Sequence, residues 1–382
     1  MKIILFLSLH VGKWGAERSM CSLCASLKNK YRVVVIIASH GNIEELLKSY
    51  NIEYYIIPLV MGSYMGDFKW LKKILLKMRY PFLLHAKQNI FERTLKQKEI
   101  TPSLIYTNTL IPINGFLLSQ KYKIPHICHI REFYDEDFHF KSWIGRNRLF
   151  SLMKNNCDKF ICISDAMIKK FSPILGHEKL KLVYNGLPIQ RPIKRIDSDY
   201  FEALIVGRLS PEKNQFDAIK AIQLLVKKNV PIRLYIYGSG KDEKAIKEYI
   251  ERSQLTDSIF LCGYADHIDY SHYQLGLMCS KNEAFGRVTV EYMMAGLPVI
   301  GVNSGATPEI IEEGVTGLLY SCGNNEELSK KILYYIRNRE VAIKHGNAGH
   351  KRACSLFSES QYIDNMTSVI ENTIKKTNNN DI

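Results

Sequence analysis

Short apolar runs at residues 2–9, 32–38, 53–58, 104–107, 126–130 and 159–163 are separated by amphipathic stretches of helical period. An almost unbroken apolar run of that length marks a parallel strand covered on both faces. Alternation with helices predicts βαβ units with helices on either side of a sheet. The turn Asn185-Gly-Leu-Pro188 and the polar, proline-containing segment 189–199 interrupt this rhythm, and read as a linker. It then restarts, with strands expected at 201–206, 233–237, 258–262, 275–279 and 298–302. The fold class is therefore α/β: two Rossmann-like, doubly wound parallel-sheet domains facing a central cleft. Their expected bounds are 1–188 and 201–354, with the linker at 189–200 and a helical C-terminal segment with its tail at 355–382.

Ligands of such sheets bind beyond the carboxyl ends of the strands, and the second half carries glycines and charges at five successive strand ends. The first loop, Gly207-Arg-Leu-Ser-Pro-Glu-Lys213, holds two cations able to grip a diphosphate from two directions. Arg208 can fork two oxygens while Lys213 acts as a point charge. Gly238 and Gly240 end the next strand, Gly263 the one after, and Ser304-Gly-Ala-Thr-Pro-Glu309 follows the last. Between them lies Glu283-Ala-Phe-Gly-Arg287, which feeds a helix expected at 288–295 that carries Glu291. A glycine loop entering a helix presents free N–H groups and a positive dipole end. Two carboxylates beside an anion-accepting helix start suit a ligand bearing both hydroxyls and phosphates, such as a nucleotide diphosphate sugar. In the first half, Gly12 and Gly15 lie in the turn after the first strand, where backbone can approach a phosphate. The G-x-G-x-x-G dinucleotide spacing is absent there.

Charge changes the picture for the first half alone. The net charge of the 382-residue chain is +14, and residues 1–190 hold 28 Lys+Arg against 14 Asp+Glu, which accounts for all of it. The segment 69–80, Lys-Trp-Leu-Lys-Lys-Ile-Leu-Leu-Lys-Met-Arg-Tyr, is a basic, aromatic-bearing amphipathic stretch suited to an anionic membrane surface. The competing reading is a helix whose apolar face packs on its own domain. No nucleic-acid motif accompanies the charge, so no nucleic acid is expected as a partner. The nine cysteines have no framework spacing, and Cys21-x-x-Cys24 reads as small buried residues of a helix. The apolar start at 1–7 is too short for a signal peptide, and no run approaches the ~20 residues that span a bilayer. A cytoplasmic protein at the inner face of the plasma membrane is expected.

Several of these motifs together resemble the group-1 (family four) retaining glycosyltransferases, which share the GT-B fold. They are Gly207-Arg-Leu-x-x-Glu-Lys213, Gly238-x-Gly240, Glu283-x-Phe-Gly with a second glutamate at 291, and Ala295-Gly-x-Pro-Val-Ile300. The first half is similar in Gly15-Ala-Glu-Arg, Ile163-Ser164 and Asn185-Gly186. The resemblance implies sugar transfer from a nucleotide donor with retention at the anomeric carbon, with neither a metal nor a further cofactor. It implies that Arg208, Lys213 and Glu283 serve catalysis, the cations on the diphosphate and Glu283 on the donor-sugar hydroxyls. Phe285, Gly286 and Arg287 would offer backbone groups, Glu291 would take the ribose hydroxyls, and Gly207, Gly238 and Gly263 would admit the donor closely. Gly15 would approach the phosphate from the first domain, and the C-terminal helix would cross back to that domain. The implied acceptor is lipid-linked or a growing surface glycan, as in polysaccharide, capsule or lipopolysaccharide assembly.

Two features stand apart from the pattern. Where relatives carry a histidine six residues past a proline, counting from Pro125 gives Arg131, with His129 two positions earlier on the same strand face. His129, Arg131 and Glu132 are therefore expected to touch acceptor or sugar. Asp135-Glu-Asp137 mimics the metal motif of the other major glycosyltransferase fold and reads here as a charged loop. A sugar-nucleotide epimerase of the same fold, or a non-catalytic nucleotide-binding membrane adaptor, are the alternative functions.

Overall fold

The computed structural model describes residues 1–66, 70–135, 139–196 and 198–379. Glu136 and Asp137 of the acidic motif, Lys69 of the basic stretch and the last three residues of the tail lie outside them. The chain divides into two compact units, Met1–Tyr184 with Tyr362–Ile382, and Asn185–Gln361.

The first unit contains β1 (Ile3–Ser8), β2 (Arg32–Ile37), β3 (Glu53–Ile56), β4 (Ser63–Tyr64), β5 (Leu104–Thr107), β6 (His126–Ile130), β7 (Lys141–Ser142), β8 (Lys159–Cys162) and β9 (Leu180–Leu182). Seven of these form a parallel sheet in the order β3-β2-β1-β5-β6-β8-β9, and β4 and β7 form a separate antiparallel pair. Strand order reverses between β1 and β5, the arrangement of a doubly wound sheet. Both faces are buried, as the apolar runs require. Ile4 and Phe6 point into one cluster, Leu5 and Leu7 into the other. The helix Glu359–Asn379 completes the first cluster with Tyr362, Met366, Ile370 and Ile374, and Lys30 pairs with Glu371 beside it. Cys21 and Cys24 are buried, free thiols in the helix Gly15–Leu27.

The second unit contains β10 (Phe201–Val206), β11 (Ile232–Tyr237), β12 (Ile259–Gly263), β13 (Leu275–Met278), β14 (Val299–Val302) and β15 (Gly317–Tyr320). They form one parallel sheet in the order β12-β11-β10-β13-β14-β15, again reversing next to its first strand, between β10 and β13. The units part after Tyr184 rather than at 188, and a hydrogen-bond pattern explains why. Leu187 donates to Phe357 and accepts from Glu359, each at 2.9 Å, which ties the Asn185-Gly186 turn to the second unit. The segment expected as a linker is also bound to that unit. Ile193 donates to Ala295 at 3.2 Å and Ile196 to Ser271 at 2.9 Å, while the Arg195 guanidinium donates to Ala295 at 2.8 Å.

The basic stretch forms part of one long helix, Trp70–Gln97, with Pro81 inside it. Tyr80, Gln88, Phe91 and Leu95 are its buried residues. Trp70, Ile74, Met78 and Phe82 recur at every fourth position and so share one stripe. That stripe is exposed, from 47% at Ile74 to 80% at Phe82. The stripe at 70–82 does not pack on its own domain, whereas farther along the same helix Phe91 and Leu95 do. Among the described residues no helix is long and apolar enough to cross a membrane.

Candidate functional site

In the second unit, three strand-end loops are laced together by their backbones. Gly207 donates to Tyr237 and Leu209 to Ser239, both at 3.0 Å, and Gly238 donates to Gly263 at 2.7 Å. Gly238 has φ of 132°, and a Cβ there would meet the Gly207 carbonyl oxygen at 2.0 Å, so only glycine lets these loops close. The loop after β10 continues to Lys213 and then into the helix Gln215–Val226. On the other side of the strand-order reversal, the loop after β13 leads through Glu283 to Gly286, which stands at the N-cap of the helix Arg287–Met294.

These two loops meet in an ion pair. Lys213 Nζ donates to Glu283 Oε2 at 2.5 Å, with the side chains 32% and 17% exposed. Burial pushes the Glu283 carboxyl up. The Lys213 ammonium, with hydrogen bonds from Ser280 and the Gly286 N–H, outweighs it and holds the group below its ordinary value. The turn after β14 fixes the backbone of Glu283. Ala306 donates to its carbonyl at 2.8 Å, and a Cβ on Gly305 would lie 2.6 Å from the same oxygen.

The other candidates of this unit lie on the same loops and on the helix that follows Gly286. Arg208 is exposed, with its carbonyl held by Gln215 Nε2 at 2.9 Å. Glu291 lies near Tyr270 and Tyr292, whose hydroxyls are held above their ordinary range by burial first and by the Glu291 charge to a lesser degree. The Tyr292 hydroxyl accepts from Val206 N–H at 2.9 Å, which brings that neighbourhood to the start of the 207–213 loop. The Phe285 side chain is core, edge-on to Phe357 at 5.7 Å, so only its backbone is available to a ligand. Arg287 reaches the Gly186 carbonyl at 3.4 Å.

In the first unit, Gly15 opens the helix Gly15–Leu27, after an N-cap Trp14 that is 66% exposed. The end of β6 divides the three residues expected there. His129 is fully buried; its Nδ1 receives Arg131 Nη2 at 3.3 Å and faces the Tyr106 hydroxyl. Because Arg131 can only donate, Nδ1 is the acceptor and Nε2 carries the proton. Burial, then the neighbouring guanidinium, push the imidazole well below its usual range. Glu132 is 5% exposed and accepts from Leu110 N–H at 3.3 Å. Arg131 is half-buried and donates through Nε to Asn108 Oδ1 at 2.9 Å. Sequence reasoning missed Asn108, and it passed over Glu17 inside the Gly15-Ala-Glu-Arg loop. Glu17 is fully buried, and neither carboxylate oxygen has a hydrogen-bond partner. Burial raises its carboxyl to about 7, against lesser opposition from the dipole of its own backbone N–H and the Arg131 charge. Asp135 is committed to Lys170 at 2.7 Å and Arg146 at 3.1 Å.

Residues 188–352 match the model of glycosyl transferases group 1, and residues 15–191 match that of glycosyltransferase family 4. The chain is 27% identical over 258 residues to poly(glycerol-phosphate) alpha-glucosyltransferase of Bacillus subtilis, covering 65% of this chain and 37% of that one. It is 24% identical over 203 residues to the capsular polysaccharide biosynthesis glycosyltransferase CapM of Staphylococcus aureus, covering 52% and 53%. The chain thus spans about half or less of the length of these curated relatives. Anabaena HepE, solved in complex with UDP, superposes with a TM-score of 0.78 at 21% identity, over 97% of this chain and all of that one. With two family models that between them take in residues 15–352 and a fold shared over almost its whole length, the chain belongs to the group-1, family-four glycosyltransferases of the GT-B fold.

Proposed function

We propose that the chain is a retaining, metal-independent glycosyltransferase of the hexosyltransferase type. It moves a sugar from a nucleoside diphosphate sugar to a lipid-linked or growing surface glycan. The observation that carries this reading is the Lys213–Glu283 pair, formed by the two loops that flank the strand-order reversal of the second sheet. That is where doubly wound sheets bind nucleotides.

In this mechanism Arg208 and Lys213 take the diphosphate, and Glu283 accepts hydrogen bonds from hydroxyls of the donor sugar. The backbone of Phe285, Gly286 and Arg287 supplies N–H groups at a helix start, and Glu291 accepts from the ribose hydroxyls. Gly207, Gly238 and Gly263 keep the loops free of side chains where the donor lies. The anomeric C–O bond to the diphosphate breaks and its electron pair leaves on the phosphate oxygen. Fixed cations lower that barrier because negative charge grows where they stand. The acceptor hydroxyl bonds to the anomeric carbon from the same face, and its proton passes to the departing phosphate oxygen. Of the β6-end residues, Arg131 is the least buried and would make the acceptor or sugar contacts, braced by Asn108 and His129.

The exposed stripe of Trp70–Gln97 supports a lipid-linked acceptor. Trp70, Ile74, Met78 and Phe82 form an apolar ridge, with Lys72, Lys73, Lys77 and Arg79 on the same turns, the chemistry of an anionic bilayer surface. The names of the Bacillus and Staphylococcus relatives, on poly(glycerol-phosphate) and on capsular polysaccharide, point to the same kind of acceptor. The reaction is tested by incubating the protein with UDP- and GDP-sugars and cell-envelope acceptors, then reading the anomeric configuration of the product by NMR. Retention is expected; an inverted linkage, or conversion of the donor to its epimer, overturns the reading.

A further inference from the structure

The two faces of β11 differ in kind. Ile232, Leu234 and Ile236 enter the hydrophobic core, whereas Arg233, Tyr235 and Tyr237 line the opposite face. Tyr235 stacks on Phe260 of β12 with centroids 5.0 Å apart. Tyr273, just ahead of β13, stands edge-on to Tyr235 at 5.4 Å. The Arg233 guanidinium lies 3.7 Å from the centre of the Tyr200 ring. Phenols and a guanidinium, rather than aliphatic side chains, cover this part of the sheet.

Beside them is a cavity of about 350 Å³ lined by Ile196, Ser198, Glu202, Tyr235, His272 and Tyr273. Glu202 is only 7% exposed. Its Oε1 accepts from Ser198 Oγ at 2.8 Å and lies 3.9 Å from Arg233 Nη1. Its Oε2 is buried and makes no hydrogen bond of normal length and angle, although the Tyr235 hydroxyl faces both Glu202 and Arg233, and Arg233 Nε is likewise unpaired. A buried carboxylate oxygen left without a good donor is destabilising, and such orphans mark places where something else completes the bonding.

The missing partner has to donate hydrogen bonds to a carboxylate, present a flat C–H face to tyrosine rings, and fit a cavity of small-molecule size. It has to be neutral as well. Aromatic rings around a carboxylate also suit an organic cation, but Arg233 already balances the Glu202 charge and would repel one. A pyranose ring meets every requirement: adjacent hydroxyls donate, and one ring face is C–H. We propose that this cavity is a second sugar-binding subsite, taking one pyranose of a neutral glycan with Glu202 as the acceptor of its hydroxyls. Glu202 opens β10 near its amino end, so four residues, roughly 13 Å of strand, separate it from the Gly207 loop. Use of the subsite to hold an already-built part of the acceptor rests on the transfer proposed above; sugar binding at the subsite does not.

The test is saturation-transfer NMR on the full chain with the methyl glycosides of glucose, galactose, mannose and N-acetylglucosamine as probes, alongside calorimetric titration with UDP. Ser198→Trp fills the cavity from an exposed position but also removes the Ser198–Glu202 hydrogen bond, so its fold is verified by circular dichroism, while Glu202→Gln keeps the shape and removes the charge. At least one glycoside is expected to give signals with the unaltered protein, to lose them in Ser198→Trp, and to bind about tenfold more weakly to Glu202→Gln. UDP binding is expected to persist in both variants. Absence of signals from every glycoside, or equal signals from all three proteins, overturns the subsite. Glycoside signals of the expected pattern with no UDP binding would instead sink the donor reading and leave the subsite standing.

Discussion

Replacing Lys213 by methionine removes one charge and keeps most of the stem, so it separates the electrostatic contribution of that residue from its packing. The pair it breaks is partly shielded, with Lys213 at 32% and Glu283 at 17% side-chain exposure. Exposed pairs are worth ~0–1 kcal/mol and breaking fully buried ones costs ~3–5 kcal/mol, so a loss of about 2 kcal/mol is expected. In a unit of this size that lowers Tm by roughly 4–8 °C. The loss depends on pH in a definite sense. In the intact protein the Glu283 carboxyl lies below its ordinary value, so its contribution is present above pH 4.5 and fades as pH falls through the lowered value. In Lys213→Met, burial acts unopposed by the ammonium and raises the same carboxyl, and a penalty grows as pH rises through the ordinary carboxylate range. Melting profiles of the two proteins should therefore converge in acid and diverge toward neutrality. Turnover should fall about 10²–10³-fold, the cost of one lost charge-stabilising group. Adding Glu283→Gln should restore much of the stability, because no carboxylate is then stranded, and none of the turnover. Scanning fluorimetry across pH and donor-consumption rates measure both. A Lys213→Met protein that turns over at the full rate, or a double variant that regains activity, refutes the argument.

Gly238→Ala places a methyl group 2.0 Å from the Gly207 carbonyl oxygen at a φ of 132°. It should cost ~1–3 kcal/mol and weaken UDP binding more than Gly263→Ala, where a Cβ meets nothing within 4 Å; calorimetry with UDP compares them. Glu17→Gln should stabilise the protein above pH 7, because burial raises the native carboxyl from 4.5 to about 7 and the native state loses stability as pH rises between those values. The gain should be roughly 3 kcal/mol, read as a flattened Tm–pH profile; an unchanged profile contradicts it. Changing Trp70 and Phe82 together to serine should weaken binding to anionic vesicles at least tenfold, since burial of such side chains is worth ~1.5–3 kcal/mol each. Flotation at low salt checks this, and equal flotation of both proteins rejects the lipid-facing ridge.

Much of the architecture was legible because buried parallel strands announce themselves as apolar runs. Leu204 to Val206, for instance, has no polar residue to disguise it. The strands that escaped notice are edge or short ones. In β9, Lys181 breaks a three-residue run at the sheet edge, and β15 begins on Gly317. β4 and β7 are two residues each and pair across more than seventy positions, a match no local pattern reveals. That Lys213 and Glu283 sit on strand-end loops was legible, but their ion pair was not, because only the strand order makes the loops after β10 and β13 neighbours. The burial of His129 did not follow. Alternation puts it on the same face as Arg131, but Tyr106 and the distant Tyr362 decide which of the two is covered. Glu17 was equally opaque: a charged residue beside Gly15 reads as solvated, and only the folded sheet end shows it dry. For the helix Trp70–Gln97, spacing identified the apolar stripe but not whether protein or solvent faces it.

Titration of the protein with UDP and with GDP, in the presence of EDTA and alongside Arg208→Ala and Lys213→Met, measures the donor site most directly. One nucleoside diphosphate should bind in a single site without added metal, and each substitution should weaken it at least tenfold. Binding that fails for both nucleotides, or that survives both substitutions undiminished, contradicts the account.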